Sequence, residues 1–391
     1  MSPVSLGSVA EINPRSPSVA PDEPVSFVGL AELDAATARA RPRETRPYRE
    51  VAKGYTVFRD SDILLARITP SWENGKVGIA ELAHPIGVGS TEFHVVRVGE
   101  ELDRRYALHL LRQPQVRFAG AARMTGSGGQ RRVPADFLRE LEIELPALAQ
   151  QRRIAAILDG ADAIRQRRRS LLDHLDSLVA SIFHETVDKA AARIRLGELV
   201  AEFRYGTSRK SSGTGLPTLR IPNVIGGAID LTEIKMVDVS AAERLRLQLS
   251  DGDLLFVRTN GNPDYVGRAA VFSGEAVAPA GYGDTTWLYA SYLIRARLQS
   301  GAEPHFVKTF LATAEGRRQL RAQSKTSAGQ YNINIEGLSA VEIPDVPPPV
   351  QRAFRDRTAP IDSLRQQIKS ALAADEELFA SLQQRAFAGD L

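Results

Sequence analysis

Apolar and polar positions change rhythm twice along this chain, at two similar places. From Leu141, "LEIELPALAQQRRIAAILDGADAIRQRRRSLL" opens with strand-like alternation, breaks at Pro146 and continues with a helical repeat. From Val341, "VEIPDVPPPVQRAFRDRTAPIDSLRQQI" does the same. In the first helix, apolar or small residues fall at Ile154, Ile157, Ala161, Ile164, Leu171, Leu175, Leu178 and Ile182. Their steps alternate three and four, with Arg168 filling the skipped position, so the spacing predicts a coiled-coil seam. The second helix repeats the register at Phe354, Ile361, Leu364, Ile368, Ala371, Leu378 and Leu382, with Arg357 and Asp375 as polar exceptions. At 1.5 Å per residue each helix would be roughly 45–60 Å long, too long to bury its seam within one small domain. Antiparallel pairing of the two would bury both.

The repetition is wider than the junction. "LGSVAEINPRS" from Leu6 answers to "LGELVAEFRYGTS" from Leu196, and "DILLARITPSWENGKVGIAEL" from Asp62 to "DLLFVRTNGNPDYVGRAAVF" from Asp253. "SGGQRRVPADFLRELEIELP" from Ser127 answers to "SAGQYNINIEGLSAVEIPDVP" from Ser327, at an offset of 200 residues. Such a period is too long for a solenoid and indicates a duplicated domain. Within a copy, "DILLARI" and "GKVGIAEL" read as strands about a turn at Pro70 to Gly75, and "STEFHVVRV" as a half-buried strand. "DRRYALHLLRQPQVRFAGAA" reads as helix up to about Pro114, and "EPHFVKTFLATAEGRRQLRAQ" as its counterpart. A glycine-rich loop, Thr125 to Gln130, and a short strand in "RELEIELP" follow.

The expected architecture is therefore α+β: two similar mixed α/β domains, 1–146 and 191–346, joined by two long antiparallel helices, 147–190 and 347–391, with pseudo-twofold symmetry. A chain of 391 residues is long enough for two cores. Its 43% apolar and 25% charged residues suit a soluble protein, and no run of about 18 apolar residues would span a membrane. "MSPVSLGSVAEINPRS" lacks a signal-peptide pattern, which makes the cytoplasm the default location. The absence of cysteine excludes disulfides, thiol nucleophiles and thiolate metal sites.

Net charge is only +3, but it is unevenly spread. Arg112 to Pro134 contains five arginines and no acid; Phe203 to Arg220 and Arg317 to Asn334 are similarly basic. A solvated surface would explain any one cluster, whereas clusters at matched places in two copies favour a polyanion. Side chains able to reach base edges or phosphates are Arg67, Lys76, Arg123, Gln130, Arg131 and Arg132 in the first copy. In the second they are Arg209, Lys210, Arg258, Asn260, Lys325, Gln330, Tyr331 and Asn332. Arg165, Arg167, Arg168 and Arg169 on the first helix face DNA, an acidic partner or solvent.

Catalytic signals are weak. "NPDY" at Asn262 is similar to the Asn-Pro-Pro-Tyr of amino-methyltransferases, but Asp264 breaks it and no cofactor-type glycine loop precedes it; a turn accounts for it. "TGSGGQ" at Thr125 lacks the Gly-Lys-Ser/Thr ending of a phosphate loop. The six histidines show no metal-ligand pairing. Asp284, in "GYGDTTW", aligns with "GVGST" at Gly87 and reads as a turn residue.

Several segments resemble the specificity subunit of type I restriction-modification systems. "LPALAQQRRIAAILD" is similar to the family's Leu-Pro-Pro-Leu-x-Glu-Gln entry into its central helix, with "PPPVQR" at Pro347 as a second copy. "LQQRAFAGDL" resembles the family's closing sequence, and "VASIFHE" echoes it. "ARITPSWENGKVGIAE" and "GSTEFHVVR" resemble its target recognition domains. Ala147 replaces a proline and Gln150 a glutamate, and Pro360 is expected to interrupt the second helix. The resemblance implies a non-catalytic chain that binds double-stranded DNA, two adenine-N6 methyltransferase subunits and restriction subunits. Each domain would read half of a bipartite target, the helices would set the unread gap, and Leu172, Val179 and Phe379 would dock partners. No cofactor would bind this chain; the partners would use S-adenosylmethionine, ATP and Mg. A two-headed protein-binding adaptor and an enzyme with an unrecognised site are the other classes. The basic clusters argue against the first, and the lack of paired catalytic groups against the second.

Overall fold

A computed structural model describes residues 3–127, 129–188, 192–283, 285–327 and 329–391. Contacts divide the chain into two units, Met1–Leu171 with Ile368–Leu391, and Leu172–Gln367. The expected boundary at 190 and 191 lies outside the described residues. Two long helices, Leu148–Val187 and Pro348–Ala388, each contribute part of their length to both units.

In the first unit a six-stranded sheet runs Ala10–Ile12, Phe93–Val98, Ile63–Ala66, Val77–Ala80, Arg39–Ala40, Leu33–Asp34. "ILLA" is apolar at every position because both of its faces are covered: Ile63 and Leu65 enter the core shared with the helices, Leu64 and Ala66 a second one. A four-stranded sheet, Glu44–Pro47, Pro24–Val28, Ile86–Gly89 and Thr56–Arg59, adds to it.

The second unit repeats the frame with Val200–Tyr205, Leu293–Leu298, Leu254–Val257 and Ala269–Val271. The correspondence reaches individual bonds. Strand Val4–Ser5 pairs Val4 with Ile143, and Arg193–Arg195 pairs Ile194 with Ile343. Leu6 N donates to Leu141 O at 2.8 Å, and Leu196 N to Val341 O at 2.8 Å. Buried Asp62 holds Arg97 at 2.7 Å; buried Asp253 holds Arg297 at 2.7 Å. The duplication read from sequence is thus a duplication of main-chain geometry.

Three helical expectations change. The helix expected up to about Pro114 is Arg104–Leu111, and a second helix, Pro114–Ala122, follows it, because proline at the first turn starts a helix as readily as it stops one. Its counterpart also divides, into Pro304–Ala312 and Ala314–Ala322, where the Thr313 hydroxyl caps Gly316 N at 3.1 Å. Pro360 does not interrupt the second long helix, which runs through it. Phe354 is buried against Phe183 and Phe306 before the proline and Ile361 packs on the same core after it. Such burial offsets the roughly 3 kcal/mol that an interior proline costs.

The helix pair is antiparallel within each unit. In the first, Arg168 pairs with Asp375 and Arg169 with Glu376, and Arg165 three residues earlier lies over Phe379 four residues later; in the second, Arg357 pairs with Glu185 and Arg365 with Asp176, both at 2.8 Å. The polar exceptions in the seams therefore find charged partners. The seam itself is not buried throughout: Ile154, Leu175, Ile182, Phe354 and Ile368 are, whereas Ile164, Leu171, Leu178, Leu364 and Leu378 are between 42% and 56% exposed. Heptad spacing marks an apolar stripe without saying what covers it.

At both strand-to-helix junctions a glutamine is the fastening. Gln151 Oε1 accepts from Asp103 N at 2.7 Å, and its Nε2 donates to Glu101 O and Pro146 O, each at 2.8 Å. Gln351 Oε1 accepts from Glu303 N at 3.0 Å and Nε2 donates to Val346 O at 2.7 Å. Asp103 and Glu303 in turn cap helices Arg104–Leu111 and Pro304–Ala312.

Candidate nucleic-acid interface

In the second unit the glycine-containing loop closes into a three-stranded ribbon, Thr259–Asn260, Gln330–Asn332 and Lys325–Ser327. Asn332 faces Thr259 on one side and Lys325 on the other, and Tyr331 faces Asn260. Five expected residues (Asn260, Lys325, Gln330, Tyr331, Asn332) thus come together. Arg258 precedes the ribbon, its guanidinium 4.8 Å from the Tyr205 ring centre and its Nη1 donating to Ser291 O at 3.3 Å. Asn332 Nδ2 donates to Gln330 O at 3.2 Å, and Asn260 Oδ1 accepts from Asn262 N at 2.9 Å. Lys325 and Gln330 are exposed, while Tyr331 is half-buried against the core.

The first unit keeps this pattern in reduced form. Arg132 bridges Ile68 on one side and Thr125 on the other, the places of Thr259 and Lys325. Main-chain bonds fix both versions equally: Val133 N donates to Arg67 O, and Ile333 N to Arg258 O, each at 2.9 Å. Arg67 N donates to Glu92 O at 2.8 Å, and Arg258 N to Tyr292 O at 3.0 Å. Position 92 therefore corresponds to 292, and the heads differ there: a carboxylate in one, a 60% exposed tyrosine in the other.

Glu92 gathers the first head's arginines. Its carboxylate accepts from Arg132 Nε and Nη2, at 3.0 and 2.7 Å, and from Arg67 Nε at 3.3 Å. Hydrogen bonding from Arg132 holds the carboxyl below the usual range. Arg67 also lines a cleft of about 290 Å³ with Asn13, Tyr55, Thr56 and Phe93. Arg131 is exposed, and its Nη2 lies 3.4 Å from Ala121 O and Met124 O, at the end of helix Pro114–Ala122. Gln130 is exposed, and Arg123 is 65% exposed, 3.8 Å from Glu140. Lys76 turns inward, donating to Leu30 O at 2.6 Å, and so sits apart from this cluster. Arg209 pairs with Glu243 at 2.9 Å, outside the ribbon, and Lys210 beside it is exposed.

The turn at Pro70 to Gly75 is seated by Trp72, whose Nε1 donates to Arg117 O at 2.8 Å. Helix Pro114–Ala122 comes this close because of Gly120, where a Cβ would lie 2.1 Å from the indole. "NPDY" is also a turn: Asn262 Oδ1 accepts from Asp264 N at 2.9 Å, and Arg317 Nη2 donates to Asp264 O at 3.0 Å and Val266 O at 2.8 Å. Part of the basic cluster from Arg317 is therefore internal scaffolding. On the first long helix, Arg165 bonds Asp162 at 2.9 Å and Arg167 is exposed. Asp284, and Gly128 of the glycine-rich loop, lie outside the described residues. Among the described residues no group of three or more His, Asp or Glu side chains could hold a metal, and no helix is long and apolar enough to cross a membrane.

His94, one of the six histidines without metal-ligand spacing, is buried. Its Nε2 lies 2.8 Å from Val133 O, which only accepts, so Nε2 carries the hydrogen; Nδ1 accepts from Asn13 Nδ2 at 3.1 Å. Burial pushes its pKa down, with Arg67 and Arg139 adding to the effect and Glu92 opposing it. A depressed histidine contributes stability that is complete above its unfolded pKa of about 6.5 and is lost as pH falls through the lower folded value. Denaturation midpoints should therefore fall more steeply from pH 7.5 to 5 in the wild type than in His94→Gln. Equal slopes would remove His94 as the cause.

Two copies of one mixed α/β frame, each with its own loop cluster and a share of two long helices, define a duplicated two-headed chain. Residues 40–172 match the type I restriction modification DNA specificity domain. The chain is 34% identical over 195 residues to the EcoEI type I restriction enzyme specificity subunit of Escherichia coli, covering 48% of this chain and 33% of that one. To the EcoKI specificity subunit of strain K12 it is 29% identical over 285 residues, 66% of this chain and 59% of that one. The matched stretches thus span about one third to three fifths of these relatives. The type I restriction-modification S subunit from M. genitalium shares the fold at a TM-score of 0.56 and 14% identity, over 99% of this chain and 96% of that one. Over the matched stretches the chain is similar to type I restriction-modification specificity subunits, with one DNA specificity domain in its first half.

Proposed function

We propose that this chain is the DNA-reading subunit of a type I restriction-modification complex. Each head reads one half of a bipartite, asymmetric duplex target, and the paired helices set the length of the unread gap between halves. The observation that carries the reading is the recurrence of the loop cluster: a bridged segment bearing Arg132 in one copy and a strand bearing Asn332 in the other, on one main-chain frame. Arginine and asparagine are suited to base edges in the major groove, where donor and acceptor patterns distinguish all four base pairs.

The helices dock two adenine-N6 methyltransferase subunits, and restriction subunits join the complete assembly. Leu172, Val179 and Phe379, expected at that surface, are half-buried; Val179 and Phe379 pack against the cores, Phe379 beneath the Arg165 guanidinium at 4.2 Å. The exposed apolar positions Ile164, Leu171 and Leu178, seven residues apart, and Leu364 and Leu378 fit the role better. The chain itself holds no cofactor; S-adenosylmethionine, ATP and Mg serve its partners.

The test is selection of bound duplexes from a randomised pool by the chain in complex with its methyltransferase subunit. Two defined half-sites separated by a fixed unread gap are expected. Arg67→Ala should weaken one half-site and Asn332→Ala the other. Equal relaxation of both halves by either substitution would end the two-headed reading, and retention of all duplexes alike would favour an adaptor.

A further inference from the structure

We propose that Glu92 is a positioning residue that presents the Arg132 guanidinium to a guanine in the first head's half-site. The proposal rests on the DNA-reading role above and deepens it to one side chain and one base.

A free arginine samples many rotamers, so a base contact made by one is weakened by the entropy of ordering it. Arg132 is already ordered. Nε and Nη2 bind the two oxygens of Glu92, and Nη1 donates to Gln130 O at 3.2 Å. A guanidinium has five N–H groups, so one remains on each terminal nitrogen. The side chain is 37% exposed, whereas that of Glu92 is only 17% exposed. The carboxylate therefore lies behind the guanidinium, and the unused N–H groups belong to its more exposed member. Two N–H donors on one rigid plane match the O6 and N7 acceptors of guanine, the commonest bidentate arginine contact. Arg67, at the same carboxylate, keeps Glu92 from swinging away.

The second head is an internal comparison. It has the same main-chain frame, but position 292 is tyrosine and the strand position equivalent to Arg132 is Asn332. Where the arginine is absent, the carboxylate is absent too.

The experiment is the same selection on the complex, run with Arg132→Lys, Arg132→Ala, Glu92→Gln and Glu92→Tyr. Wild type should show a guanine at one position of the first half-site. Arg132→Lys keeps the charge but not the fork, and should lower that preference roughly fivefold or more while leaving the second half-site unchanged. Glu92→Gln and Glu92→Tyr should weaken the same position and no other. If Glu92 substitutions unfold the first head, seen as loss of its whole half-site, Arg132→Lys still decides the base. Defined half-sites in which Arg132→Lys and Arg132→Ala alter no guanine would overturn the assignment and leave DNA reading intact. A guanine lost with Arg132→Ala but undisturbed in folded Glu92→Gln would overturn the role of Glu92. Absence of any sequence preference in wild type would remove both.

Discussion

A chain with four residues inserted after Arg169 and four more before Asp375 should keep both half-sites and lengthen the gap between them. Each insertion adds about 6 Å of helix and overshoots one turn by about 40°. At about 3.4 Å per base pair, that is one to two additional unread pairs. The original target should no longer be modified, which makes this the largest functional effect expected of any change distant from the heads. The insertion points follow from the Arg168–Asp375 and Arg169–Glu376 pairs, which place the two helices side by side there. Mapping of methylated sites made by the variant complex is the measurement. New letters within a half-site at the old spacing would show that the helices do not measure distance.

The largest effect on stability is expected at the two buried glutamines. Gln151→Leu leaves Asp103 N, Glu101 O and Pro146 O without their partner; Gln151 itself is fully buried, as is its bond to Pro146, while the other two bonds are half-buried. Each unmet buried main-chain group costs about 1–3 kcal/mol, so a loss of about 3 kcal/mol or more is expected. Gln351→Leu strands Glu303 N and Val346 O and should cost somewhat less. Denaturant unfolding of each variant reads this directly. Midpoints indistinguishable from wild type would mean that the junctions relax around leucine.

Much of this frame was legible in the sequence, and the reasons are specific. The junctions announced themselves because a period of two gives way to one of 3.6 at Pro146, and again after Val346. Duplication could be read because hydrophobic positions, turn residues and charged partners recur in one order, down to Asp62 and Asp253. The sheet Glu44–Pro47, Pro24–Val28, Ile86–Gly89, Thr56–Arg59 was not read, nor was the second unit's three-stranded sheet Lys235–Val237, Leu216–Leu219, Leu288–Tyr289. Their strands are short and draw on partners far along the chain, which no local window reports. Glu92 was hidden because it is an acid among bases, and a search for cations passes over the group that orients them. Gln151 and Gln351 carry no charge and no periodicity; they stood out only as members of the junction segments "LPALAQQRRIAAILD" and "PPPVQR".

The segments bearing Arg132 and Asn332 are hung on their neighbours by amide and carbonyl groups, through Arg67 O and Val133 N, and Arg258 O and Ile333 N. Every amino acid except proline supplies those groups. The side chains there can therefore be exchanged while the strand stays in place, as arginine and asparagine already illustrate within one chain. A head could drift to a new half-site through one or two substitutions while its twin keeps the old one. On the proposed two-part reading, duplication would allow half of a composite address to be rewritten at a time.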